Sequence, residues 1–247
     1  MSNTALWIIQ QACGELGLPV PAHAVSTTQE TNTQMLALLN SAGYDLASNY
    51  QWEELTRPYN FITADNVPSY PLPADYNYFL DSTGWDNSNR WPLLGPVSAQ
   101  EWRALIAAKV TAVSRTYYKV QDRQISVWPI PSNAAGTNGT QSPGRNLVIE
   151  YCSINWVESG TSPGQYQSDI TNDADIPILN QWLLVKFLKV KMWAAKGFDT
   201  TVLQSEFDTL FLSLTAKSKG SRVLSLAPKT GSAFIGISNV PEGNWIR

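Results

Sequence analysis

The chain is poor in the residues from which most active sites are built. Its 247 residues include one histidine, His23, and two cysteines, Cys13 and Cys152. A single imidazole excludes a multi-histidine metal centre, and any Ser-His-Asp or Cys-His site would depend wholly on that ring. Two cysteines far apart in sequence are too few for a zinc cluster or a disulfide framework, so reduced, buried thiols are expected. No apolar run reaches the roughly 18 residues of a membrane span. The opening MSNTALWIIQQACGELG lacks the basic start and long apolar stretch of a secretory signal, so a chain that is neither secreted nor membrane-spanning is predicted. Asn138-Gly139-Thr140 fits a glycosylation acceptor, which has no consequence without a secretory route. GxGxxG, GxxxxGK[ST] and GxSxG are all missing, so nucleotide binding and serine hydrolysis have no support. Charged residues make up only 15% of the chain, against roughly 25% in an ordinary soluble domain.

Aromatic residues are plentiful, with 10 Trp, 10 Tyr and 7 Phe among 43% apolar residues. This composition supports a folded core. With so few charges, it also predicts that much of the outer surface is covered in an assembly.

Periodicity divides the chain. Leu6, Ile9, Cys13 and Leu16 fall at helical spacing, and Gly17 followed by Pro19 and Pro21 stops the run. Ser26 or Thr27 is expected to cap a second helix with a stripe of Met35, Leu38, Leu39, Ala42 and Leu46. From Gln51 to about Gln167 the pattern is mostly strand: 54–63, 78–80, 115–120, 123–129 and 146–158 are short and rich in β-branched and aromatic residues. A hairpin with its tip near Gln121 and Asp122 is predicted there. One helix, capped by Ser98 with Glu101 at its third position, interrupts the strands. Residues 133–145 read as a long exposed loop.

Helical spacing returns over 178–196, where Ile178, Leu179, Trp182, Leu183, Leu184, Phe187, Leu188, Met192 and Trp193 make an arc wider than one face, predicting cover on two sides. Gly197 ends this helix, Asp199 or Thr200 caps the next, and Val202, Phe207, Leu210, Phe211 and Leu214 continue it. The last residues sustain neither spacing. From Lys217 on there are five basic residues and one acid, a charge of +4 that leaves −7 for residues 1–216 out of a total of −3. A basic, partly apolar tail on an acidic body predicts an arm that docks on another protein. The expected class is α+β, a helical bundle built from N- and C-terminal helices with an inserted antiparallel β-sandwich-like domain and an extended C-terminal arm. The boundaries are 1–53, 54–170, 171–217 and 218–247.

Candidate sites are few. Acids beside tryptophans suggest glycoside hydrolysis, through Glu53 with Glu54, or Asp169, Asp173 and Asp175. In a strand Glu53 and Glu54 would point to opposite faces, while Asp173 and Asp175 precede a helix, where carboxylates cap free N–H groups. Asp173-Ala174-Asp175 also lacks the Gly and Glu of a calcium loop. No catalytic, cofactor or metal residue is assigned, and no cofactor is expected. His23 reads as a surface or capping residue. Lys186, Lys189 and Lys196 share a helix face that reads as solvated rather than phosphate-binding. The acidity of the body argues against tight nucleic-acid binding. For Trp85, Trp91, Trp102, Trp128 and Trp156, burial in the core or an interface is expected over carbohydrate stacking.

The order of elements resembles the head-to-tail adaptor proteins of tailed double-stranded DNA bacteriophages, a group that includes tail tubular proteins. The resemblance rests on Tyr50-Gln51-Trp52-Glu53-Glu54-Leu55, Tyr70-Pro71-Leu72-Pro73-Ala74-Asp75-Tyr76, and Trp91-Pro92-Leu93 with Glu101-Trp102. It continues through Gln124 to Pro131, Ile149-Glu150-Tyr151 with Trp156-Val157, and Asp173 to Leu179. It implies a helical bundle carrying a β-sandwich, assembled in the host cytoplasm into a ring, usually of twelve copies, beneath the portal at the head–tail junction of the virion. The implied partners are the portal protein, tail or nozzle proteins, and double-stranded DNA passing through the channel without sequence-specific binding. The C-terminal arm would reach along the portal, with Arg222, Leu224, Leu226, Lys229, Phe234, Ile235, Trp245 and Arg247 making the contact. An enzyme is not expected. The alternative is a glycan-binding or glycan-cleaving β-sandwich module.

Overall fold

A computed structural model describes residues 3–107, 115–133 and 142–218. The predicted C-terminal arm, including all eight of its named contact residues, lies outside the described residues beyond Ser218.

Helix α1 (Ala5–Leu16) starts at Thr4, whose hydroxyl accepts the Trp7 N–H, and stops at Gly17 in the left-handed region, φ 69°. Helix α2 (Glu30–Asn49) begins later than the sequence suggests, and Gln29 ahead of it caps with no side-chain hydrogen bond. Thr27 Oγ1 instead accepts the Gln29 N–H at 3.3 Å. The Ala24 and Val25 N–H groups donate to Asp173 Oδ1, both at 2.9 Å. A carboxylate some 150 positions away along the chain thus pins the bend ahead of this helix.

After a single 3-10 turn (Glu53–Leu55) come β1 (Thr56–Ile62), β2 (Ser69–Pro71), β3 (Tyr76–Phe79), β4 (Trp85–Asp86) and β5 (Trp91–Pro92). Helix α3 (Ala99–Ala107) carries the predicted reciprocal cap: Ser98 Oγ accepts the Glu101 N–H at 3.1 Å, and Glu101 Oε2 accepts the Ser98 N–H at 3.4 Å. Strands β6 (Tyr117–Gln121) and β7 (Gln124–Trp128) form the hairpin. Its turn is Asp122-Arg123, one residue beyond the expected tip, with φ of 53° and 55°, the primed geometry that matches strand twist. Strands β8 (Asn146–Ser153), β9 (Val157–Glu158), β10 (Tyr166–Gln167) and β11 (Ile176–Pro177) follow. Helix α4 (Gln181–Lys196) is capped by Asn180 and ended by Gly197 at φ 77°, and helix α5 (Thr201–Ser218) completes the described chain.

All strand ladders among the named strands are antiparallel. The largest sheet runs β1-β8-β4-β5 with β3 also on β8, the second runs β2-β7-β6, and a small third runs β10-β9-β11. Phe61, Leu147, Ile149 and Tyr151 of the first sheet share one apolar cluster with Tyr70, Tyr118, Ile125 and Val127 of the second. A separate cluster unites the helices. It takes Ile8, Ile9, Met35, Leu39, Leu184 and Leu188 from three helices and also admits Cys152, Trp156, Val157 and Ile170 from the strand region. Helix α4 packs against α1, α2 and α5, so its wide apolar arc meets three neighbours where the sequence predicts two sides.

Candidate assembly site

A groove of about 710 Å³ lies where the β region meets the N-terminal end of α4. Its lining includes Glu54, Arg57, Pro58, Glu158, Tyr166, Ile176, Pro177 and Gln181. The Arg57 guanidinium carbon sits 3.9 Å from the centre of the Tyr166 ring, a cation–π arrangement that occupies the ring face a sugar would stack on. Tyr151, also in the lining, donates its hydroxyl to Asp75 Oδ1 at 2.9 Å. Burial, reinforced by that carboxylate, pushes the Tyr151 hydroxyl up to about 12, so it stays protonated at neutral pH.

The predicted acidic candidates do not converge. Glu53 and Glu54 lie in the 3-10 turn, not in a strand, and only Glu54 reaches the groove. Asp169 is exposed and accepts from Ser168. Asp175 is fully buried. It accepts N–H groups from Gly160, Thr171 and Asn172 at 2.8–2.9 Å and the Gln167 Nε2 donor at 2.7 Å. Its oxygens are consumed by the loop it organises, leaving none for proton transfer. Asp173 joins Ala24, Val25 and His23, whose Nδ1 is 3.2 Å from Oδ2. Burial works to raise the Asp173 carboxyl, but the two backbone donors and His23 outweigh it and leave it below its ordinary range. The sequence expects these two acids to cap the following helix. Asn180 does that instead, while the backbone carbonyls of Asp175 and Asp173 accept the Ala5 and Leu6 N–H groups at the start of α1.

The lysine face is not solvated as expected. Lys189 is buried, with its Nζ 2.6 Å from Glu15 on α1 and 3.9 Å from Glu206 on α5. Lys186 reaches Glu206 at 2.9 Å, and Lys191 pairs with Asp45 on α2. Of the predicted trio only Lys196 is exposed. The lysines of α4 therefore pin its neighbours in place. Burial alone would raise the Glu15 carboxyl, but the Lys189 hydrogen bond and charge overcome it and hold the group below its ordinary value of 4.5. A depressed carboxyl stabilises the fold above its unfolded pKa and loses that contribution as pH falls through the folded one. The melting temperature should therefore drop on acidification below about pH 4.5. In Lys189→Met the drop should be shallower, so the two curves converge toward low pH; parallel curves would refute this.

Both cysteines are free and buried, and burial pushes both thiols up, which makes them poor nucleophiles. Of the five tryptophans of the strand region, only Trp156 is fully buried, and it sits in the helical cluster. None of the five lines the groove. Among the described residues, no three His, Cys, Asp or Glu side chains gather as a metal site, and no helix is long and apolar enough to cross a membrane.

Sequence reasoning missed two aromatic pairs on the helices, each with one exposed ring. Trp7 and Trp182 meet edge-on at 5.3 Å, and Trp193 and Phe198 meet at 5.5 Å. Trp182 and Trp193 fall in the apolar arc of the helix at helical spacing, yet Trp182 and the Phe198 beside Trp193 lie open to solvent. The family model for SU10 adaptor protein matches residues 3–211, and the chain belongs to that family. This agrees with the phage head-to-tail adaptor resemblance of its sequence and gives it a structural, adaptor role. No curated protein matches it.

Proposed function

We propose that the protein is a non-enzymatic connector of the virion. In this reading a helical bundle carrying a β-sandwich forms a ring, usually of twelve copies, beneath the portal. The ring extends the DNA channel and offers a platform for tail or nozzle proteins. The observation that carries this is the family match over residues 3–211. Solvent-exposed aromatics on the bundle and a charge of −7 over residues 1–216 support it, since an acidic lining lets DNA pass without adhering. The groove has the carboxylates Glu54 and Glu158, which keeps glycan binding as the second reading. Arg57 on the Tyr166 face weighs against it.

The basic segment after Lys217 is the portal-docking arm in this proposal. Deleting residues 218–247 should leave a folded chain that no longer sediments with purified portal rings. Full retention of binding by the truncated protein would remove the arm from the contact. Turnover or saturable binding of peptidoglycan oligosaccharides by the intact chain would favour the second reading.

A further inference from the structure

Helix α4 is buried along its middle, through Leu183, Leu184, Val185, Leu188, Val190 and Met192, and bare at both ends. At its N-terminal end Trp182 is 48% exposed beside the groove that Gln181 lines. At its C-terminal end Phe198 is 61% and Val202 70% exposed, next to the exposed Lys196. The 16 residues of the helix set the two surfaces apart by about 24 Å at about 1.5 Å per residue.

We propose that these two ends meet between copies: the Phe198–Val202 knob of one chain, with Lys196, enters the Glu54–Gln181 groove of a second copy. The inference rests on the ring-forming adaptor reading and names its copy-to-copy contact. Two different surfaces on one chain make a head-to-tail contact, the kind that closes into a ring when the rotation allows. A two-fold pair would need one self-complementary surface.

Chemistry supports the pairing. Ile176 and Pro177 give the groove an apolar patch for Phe198 and Val202, and its volume lies within the roughly 300–1,000 Å³ of small-ligand pockets. Glu54 has no ion-pair partner among the described residues, and the Glu158 carboxylate accepts only the Gly164 N–H there, at 2.9 Å; two carboxylates against the single cation Arg57 leave the groove acidic, a complement to Lys196. Asp199, the one acid in the knob, has its carboxylate turned onto the Thr201 N–H and hydroxyl at 2.9 and 2.6 Å, which holds it below its ordinary range.

The test is assembly of the full chain on purified portal rings, counted by electron microscopy and native mass spectrometry. Circular dichroism verifies that each variant is folded. E54K and the double variant F198S/V202S should each lower the yield of complete rings at least about tenfold. E54K/K196E should recover most of the loss of E54K, because the reversed charges again meet between copies. An equal mixture of E54K and F198S/V202S should stop at pairs, since only one of the two contacts in each successive step is intact. Complete rings from E54K and F198S/V202S at wild-type yield, or no recovery in E54K/K196E, would overturn this contact while leaving the adaptor reading standing. Failure of the wild-type chain itself to assemble on portals would bring down both.

Discussion

Replacing Trp156 by alanine is expected to cost roughly 3–5 kcal/mol, which for a chain of this size lowers the melting temperature by about 6–20 °C at roughly 2–4 °C per kcal/mol. Trp156 follows β8 and is fully buried, yet its indole lies among the helices, against Gly43 in the middle of α2. It ties the strand region into the helical cluster, so its loss opens a cavity between them. The indole N–H finds no acceptor among the described residues. Trp156→Phe therefore removes no hydrogen bond and should cost much less than alanine. Gly43 gives the sharper test. Helix propensity alone makes Gly43→Ala stabilising by about 1 kcal/mol. A Cβ at that position would overlap the Trp156 ring, and overpacking costs about 1–3 kcal/mol. The measured sign should be destabilising, and a rise in melting temperature would show that the indole does not seat there.

The second large effect is expected at Arg145. Its Nη1 donates to Asp86 Oδ2 at 2.6 Å and to Thr116 Oγ1 at 2.9 Å, and its Nε donates to the Ser142 carbonyl at 3.1 Å. Both members of the ion pair are at least 95% buried. Arg145→Ala strands the Asp86 charge and should destabilise by about 3–5 kcal/mol, read as a shift of the denaturant midpoint at constant slope. Replacing both partners by apolar residues, as in Asp86→Leu with Arg145→Met, should recover most of that loss, because no uncompensated charge remains. The single and double variants form a cycle, and additive losses would mean that the pair is not coupled. Asp86 also accepts the Ser88 and Asn89 N–H groups at 3.0 and 3.1 Å, so the turn after β4 should loosen with it.

Much of the local structure was legible because its causes are local. Gly17 and Gly197 end helices since both stops need a left-handed residue just past the last turn. The Ser98–Glu101 cap is written within four positions, and the β6–β7 hairpin within twelve. The second helix start was misplaced because the loop before it answers to Asp173, a partner no window of neighbouring residues contains. Lys186 and Lys189 were read as solvated for the same reason: helical spacing places them on one face but does not reveal which helix that face meets. The groove was not legible at all, since Glu54, Arg57, Glu158, Tyr166 and Gln181 come together only when four separate segments fold. The exposure of Trp182 is not legible either, because helical spacing records apolar character, not whether a neighbour arrives to cover it.

The sequence by itself determined the order of helical and strand-rich segments, the stops and caps of most helices, the scarcity of catalytic residue types and the basic end on an acidic body. All of these depend on composition or on contacts a few residues apart. Only the tertiary structure decided that Trp156 leaves the strand region for the helical cluster, that the α4 lysines clamp three neighbouring helices, and that aromatic surface is left bare at both ends of that helix. Those outcomes depend on which distant surfaces meet and exclude water, a choice made by the packing of the whole chain.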